Sequence, residues 1–292
     1  ITRAGADIVF CVGPQMMPNS LKVAVAHPEV YILNCSLNAP HPYIRTYYGR
    51  MYEAKFLAGM IAGAVTDNER VAYIADYPIY GMIANINAFA LGVASVNPRA
   101  KVYLAWSKTK DYDRNKFLTE NDLHYVSDQD IITPNDASRY FGLYKLQDGQ
   151  ALNLAMPIWN WGVFYEKLLQ SVLAGFYKAE GQEQVKALNY WWGMSAGVID
   201  LICSKHVPYG VKRLADHLKS DITKGEVVPF FGQIYDQKGE LKNKGEHEMK
   251  PSDIMKMDWL VDNVVGSIPP MSEFIDNAKM VVELKGVEGN KL

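Results

Sequence analysis

Between residues 8 and 106 short apolar runs alternate with stretches at helical spacing, and this alternation restricts the fold more than any other feature of the chain. Residues 8–12, ended by Gly13-Pro14, and residues 31–34 predict strands, with the alanine-rich stretch 20–26 between them as a helix. From 51 to 65, Met51, Ala54, Leu57, Ala58, Ile61, Ala62 and Val65 recur at helical spacing. Ala58, Gly59, Ala62 and Gly63 give that helix a small-residue side suited to close packing against a sheet. A buried strand at 71–75, a helix at 79–96 stopped by Asn97-Pro98, and a strand at 102–106 continue the series. Strands and helices in such succession place parallel strands under helices on both faces, an α/β fold.

The stretch 107–150 is more polar, carries Asp-Gly and Thr-Pro turn signals, and predicts one short helix near 114–120. A strand at 152–156, a helix at 163–176, a strand at 198–203 and a helix at 209–223 resume the alternation. "FGQIYDQKGELKNKG" predicts a hairpin about Lys238-Gly239. "PSDIMKMDWLVDNVVGSIP" predicts a helix capped by Ser252, with Ile254, Met257, Leu260, Val261 and Val264 on one face.

A chain of 292 residues has room for two lobes, and its 49% hydrophobic and 21% charged residues suit a packed core. The net charge of -2 leaves no surplus of cations to neutralise phosphates along a nucleic acid. Cys11, Cys35 and Cys203 form no CxxC, and the six histidines show neither HxxxH nor HxH, so metal and triad chemistry lack support. No GxGxxG follows a strand, and neither GxSxG nor a Walker loop occurs. A non-catalytic protein without cofactor is expected. No apolar run approaches the roughly 20 residues that cross a bilayer. The opening "ITRAGADIVFCVGP", without methionine or signal core, reads as a piece of a longer chain.

Four blocks carry a resemblance: "YYGRMYEAKFLAGMIAG" (47–63), "NINAFALGVASVNP" (85–98), "WNWGVFYEKLLQSVLAG" (159–175) and "MDWLVDNVVGSIP" (257–269). In this order they resemble the basic membrane protein (BMP/Med) family of ABC-transporter substrate-binding proteins, whose best-known members are similar to purine nucleoside receptors. The resemblance implies a type I periplasmic binding fold, two Rossmann-like lobes with parallel sheets and a ligand cleft between them. It implies a first lobe from 1–48 and about 158–190, a second lobe with crossovers from 49–157 and 191–270, and a tail at 271–292. It further implies a nucleoside-like ligand, an ABC permease as partner, and a lipoprotein outside the cytoplasm. Nothing before Ile1 supplies the family's opening strand and its loop with an aspartate and an aromatic residue. A cytoplasmic sensor, with its output carried by a missing N-terminal region, is the alternative expectation. A nucleoside-processing enzyme on the same architecture is the rival from another class.

In open parallel sheets ligands bind at the C-terminal ends of the strands, which here singles out loops 13–17, 34–38, 76–80, 127–133 and 159–162. Trp159 and Trp161 either stack on a flat ligand ring or cement the junction of the lobes. The two share a face if extended but diverge by about 200° if Asn160 opens a helix, and Trp159, nearer the strand end, is the ring assigned to the ligand. Asn160 offers an amide to a base edge or caps the helix. Asp200 suits paired ribose hydroxyls, or is a solvated strand-end carboxylate. Of the adjacent Trp191 and Trp192 at most one faces a cleft, and Trp192 with Gly193 is set down for it, as is Gly13 in the first loop. The family resemblance adds Gln129, Asp130 and Ser36, each with a plain turn as its competing reading. Arg50 and Glu53, three apart, predict a local ion pair.

Overall fold

A computed structural model describes residues 5–13, 16–37, 44–130, 139–175 and 190–287. In chain order its elements begin with β1 (Ile8–Cys11), α1 (Met17–Ala26), β2 (Tyr31–Cys35), β3 (Arg45–Gly49), α2 (Met51–Val65), β4 (Arg70–Ala75), α3 (Met82–Val96) and β5 (Lys101–Trp106). Then follow α4 (Arg114–Glu120), β6 (Tyr125–Ser127), β7 (Leu143–Gln147), β8 (Gln150–Trp159), α5 (Trp161–Leu173), β9 (Tyr190–Trp192) and β10 (Ile199–Cys203). The chain closes with α6 (Tyr209–Lys224), β11 (Gln233–Tyr235), β12 (Leu241–Lys244), α7 (Pro251–Met255), β13 (Val264–Val265) and α8 (Asp276–Lys285).

Two main sheets result. The first has the order β1-β2-β3-β9 and is parallel throughout. The second has the order β10-β8-β7-β6-β4-β5-β13. Its pairings from β6 to β13 are parallel and those from β6 to β10 antiparallel. Two antiparallel pairings separate β8 from β6, so β8 runs in the same direction as β4 and β6. Trp159 therefore leaves the sheet at the end where Ala75 and Ser127 also leave it. The fold is α/β, as the alternation predicts, with an antiparallel half that the alternation does not announce.

Helix α2 holds the centre. Every residue from Met51 to Gly63 is buried, including the charged Glu53 and Lys55, in a helix whose other positions are mostly apolar or small. A Cβ on Gly59 would overlap the carbonyl of Phe89, and one on Gly92 the carbonyl of Phe56. The small-residue side of α2 therefore packs against α3, where the sequence suggested a sheet. One core cluster runs through both sheets, from Leu33 and Tyr47 to Tyr73 and Val102.

Two expectations are corrected. The polar stretch after residue 106 holds α4 as predicted, capped by the Asp113 side chain, but also β6 and β7. Their pairing with β4 and β8 comes from far along the chain, so local composition does not reveal it. The helix predicted from 251 stops at Met255, and Ser252 makes no cap hydrogen bond. The buried Asn87 side chain instead donates to the Trp259 carbonyl at 2.8 Å and accepts from the Val261 N–H at 3.1 Å, and Val264 and Val265 pair with β5. Ile254, Met257, Leu260, Val261 and Val264 are nonetheless all buried, so their apolar pattern marks the core and not a helix face.

Candidate ligand-binding site

A cavity of about 690 Å³ opens where the strand ends of the two sheets meet. From the first sheet come Val12 after β1, Cys35 to Leu37 at the end of β2, and Tyr48 on β3. From the second come Ile79 and Tyr80 after β4, Asp130 after β6, and Met156 to Trp159 on β8. Trp161 and Tyr165, on the first turns of α5, complete the wall. These are the C-terminal ends of co-directional strands, the place where α/β sheets bind ligands.

The wall is largely aromatic. The indoles of Trp159 and Trp161 are parallel within 3° with centroids 6.4 Å apart, and Trp161 in turn stacks at 6.1 Å on Tyr165. Two ring contacts of about 3.5 Å each need about 7 Å, so no ligand ring fits between the tryptophans, and it must lie on an outer face. The Trp159 indole N–H is shut away without an acceptor among the described residues, which leaves the face of that ring, and not its edge, for a ligand.

Behind Trp159 lies a second chamber of about 160 Å³, which shares Tyr48, Asp130 and Trp159 with the first. Its lining is polar: Asp76, Asn85, Asp128, Gln129 and Asp130. Asp76 accepts from the Ser107 hydroxyl. Asp128 accepts from the Gln129 N–H at 2.8 Å and the Tyr144 hydroxyl at 3.0 Å, with the Arg114 guanidinium at 3.5 Å. Burial pushes the Asp128 carboxyl above its ordinary range against these contacts. Asp130 is paired at 2.6 Å with the ammonium of Lys55 on α2. Burial raises the Asp130 carboxyl and the ammonium opposes that shift. Among the described residues no group of three or more His, Cys, Asp or Glu is placed to hold a metal ion.

Residues 1–140 match the Bmp family, described as ABC transporter substrate-binding protein PnrA-like. Over these residues the chain is similar to the Bmp family. The chain is 27% identical over 282 residues to the purine-binding protein BAB2_0673 of Brucella abortus, covering 92% of this chain and 78% of the relative. It is 33% identical over 209 residues to a Haloferax volcanii protein named provisionally as the ABC transporter glucose-binding protein TsgA13, covering 67% of this chain and 51% of that one. Among solved structures it is similar to a transcriptional activator of the comK gene from Bacillus halodurans, with a TM-score of 0.58 at 14% identity over 78% of this chain and 82% of the other. It is also similar to an ABC transporter solute-binding protein from Conexibacter woesei, with a TM-score of 0.51 at 16% identity over 78% and 80%. At such identities these structures speak for the fold, which is the type I periplasmic binding fold expected of the family.

Within this fold, Trp159, Trp161, Ser36 and Asp130 line the large cavity, and Gln129 lines the small one. Both tryptophans face the cavity because Trp159 is the last residue of β8 and Trp161 the first of α5, with Asn160 as a bend between them. Asn160 lines neither chamber; its amide donates to the Gly197 carbonyl at 3.0 Å. Gly13 is buried beside the cavity, its carbonyl accepting from Asn34 at 3.1 Å. Asp200 lies on the edge strand β10 and is ion-paired with Lys219. Trp192 packs on Phe164 and Tyr190, Trp191 is core, and Gly193 stands against Glu53. Arg50 and Glu53 lie 4.0 Å apart, and Arg50 also donates to the Trp191 carbonyl at 2.7 Å. Asp76 and Asp128 fall in the loops 76–80 and 127–133 that the strand ends single out, without a signal of their own, and Tyr48, Tyr165 and Asn85 carry none in the sequence. Lys55 left a signal, as the one lysine in a stretch of α2 where Glu53 is the other charged residue.

Proposed function

We propose that the protein binds a nucleoside between its two sheets and hands it to an ABC permease. The observation that carries this reading is the two-part site. A flat apolar ring suits the aromatic chamber of about 690 Å³, and a hydroxyl-rich sugar suits the adjoining chamber of about 160 Å³ with its carboxylates and amide. A purine-binding relative supports the same ligand class. Similarity to a substrate-binding family supports a place outside the cytoplasm beside the permease and argues against turnover. Among the described residues no helix is long and apolar enough to cross a membrane.

The first test is thermal melting with intrinsic tryptophan fluorescence, in the presence of adenosine, guanosine, inosine or glucose. A bound nucleoside should quench the fluorescence and, at a hundredfold excess over Kd, add about 2.7 kcal/mol of stability. A shift with glucose and none with any nucleoside overturns the nucleoside reading in favour of a sugar, the ligand named for the Haloferax volcanii relative.

A further inference from the structure

The two chambers are lined by three carboxylates, Asp76, Asp128 and Asp130, and by no lysine, arginine or histidine among the described residues. The cations nearby are engaged behind the wall. Arg114 holds Asp128 and Tyr144, and Lys55 holds Asp130. Lys55 is 1% exposed, and a buried ammonium persists only where it is paired and hydrogen-bonded. Its Nζ has Asp130 Oδ1 at 2.6 Å, the Ser127 hydroxyl at 3.2 Å and the Asp128 carbonyl at 3.5 Å. Asp130, 12% exposed, reaches the lining of both chambers while its partner does not. Among the described residues, Asp130 Oδ2 makes no hydrogen bond of its own, so it is the oxygen left for a ligand.

Resting on the nucleoside reading, we propose that the Lys55–Asp130 ion pair is the specificity element of this cavity. It fixes an acceptor at the wall and keeps its ammonium out of the ligand's reach, so that the protein takes nucleosides and refuses their phosphates. A sugar hydroxyl donates to Asp130 Oδ2 and satisfies it. A phosphate brings charge and acceptor oxygens with no donor of opposite sign to meet them, and it stands against carboxylates. The titratable groups facing Asp130 are Lys55 from α2, Tyr48 from β3, Tyr73 from β4 and Asp128 from its own loop. Burial keeps both tyrosines protonated far above neutral pH, so Lys55 and Asp128 set the charge there.

The experiment is calorimetric titration of adenosine and AMP near neutral pH into the wild-type protein, Asp130→Asn and Lys55→Met. The wild type should prefer adenosine by about a hundredfold or more, as like-charge juxtaposition demands. Asp130→Asn, of the same shape with one negative charge fewer, should narrow that preference about tenfold, and Lys55→Met should widen it. A residue of purely structural importance would weaken both ligands alike and leave the ratio where it was. Equal affinity of the wild type for adenosine and AMP overturns the proposal and leaves the nucleoside reading standing. Binding of neither overturns both. A ratio unmoved in Asp130→Asn overturns the role of the ion pair, and that arm stands even if Lys55→Met does not fold.

Discussion

Glu53 and Gly193 meet so closely that a Cβ on residue 193 would overlap the Glu53 carboxylate. That carboxylate is buried and accepts the Met194 N–H at 2.6 Å, which ties α2 to the segment that follows β9. Gly193→Ala must push the carboxylate off its donor. It should cost about 1–3 kcal/mol, the usual range for overpacking, and chemical denaturation of the two proteins measures it.

Burial is the largest influence on Glu53 and raises its carboxyl above the ordinary 4.5, against the bond from Met194 and the charge of Arg50. The folded state therefore keeps this proton to higher pH than the unfolded chain. Glu53's contribution to stability is fullest below 4.5 and is lost as pH rises through the raised value. Glu53→Gln keeps an acceptor for Met194 and has no proton to lose. Its stability relative to wild type should be flat below 4.5 and should climb over that rise; melting series across pH for both proteins would show a level difference if this is wrong.

Trp159 lines both chambers, whereas Trp161 lines only the larger and also packs on Tyr47 and Phe164. Trp159→Ala should cost about 1–3 kcal/mol of nucleoside binding, in line with base stacking on aromatic side chains. Trp161→Ala should lower the melting temperature of the unliganded protein more than Trp159→Ala does. Calorimetry and apo melting on both variants give the comparison, and unchanged affinity in both would make the pair a purely structural stack.

Gly162 and Gly92 are both helical glycines with opposite surroundings. A Cβ at Gly162 meets nothing within 4 Å, and one at Gly92 overlaps the Phe56 carbonyl. Gly162→Ala should therefore stabilise by about 0.4–1 kcal/mol. Gly92→Ala should destabilise by about 1–3 kcal/mol or more, because α2 and α3 would have to separate. Denaturant midpoints that move the same way in both variants would contradict this.

Asn87→Ala removes the side chain that satisfies the Trp259 carbonyl and the Val261 N–H inside the core. Each unsatisfied buried group costs about 1–3 kcal/mol, so a loss of about 2–6 kcal/mol is expected. Hydrogen exchange at the Val261 amide should accelerate beyond the change in global stability.

What the chain determines by itself is what depends on near neighbours. The periodicity of 51–65, the turn at Asn97-Pro98 and the apolar run at 71–75 give α2, the end of α3 and β4 almost to the residue. The same signals end a strand at 156, three residues short of where β8 ends, and set Trp159 in the loop after it. Tertiary structure decided the rest, since the deciding partners are distant in sequence. Val264 and Val265 become strand and not helix because β5 offers a ladder edge and Asn87 captures the backbone just before them. β6 and β7, within a stretch more polar than its neighbours, become strands because β4 and β8 flank them. Lys55, read locally, is a lysine in a mostly apolar helix; only the fold brings Asp130 to within 2.6 Å of it, and a buried charge takes its role from the counter-charge that reaches it.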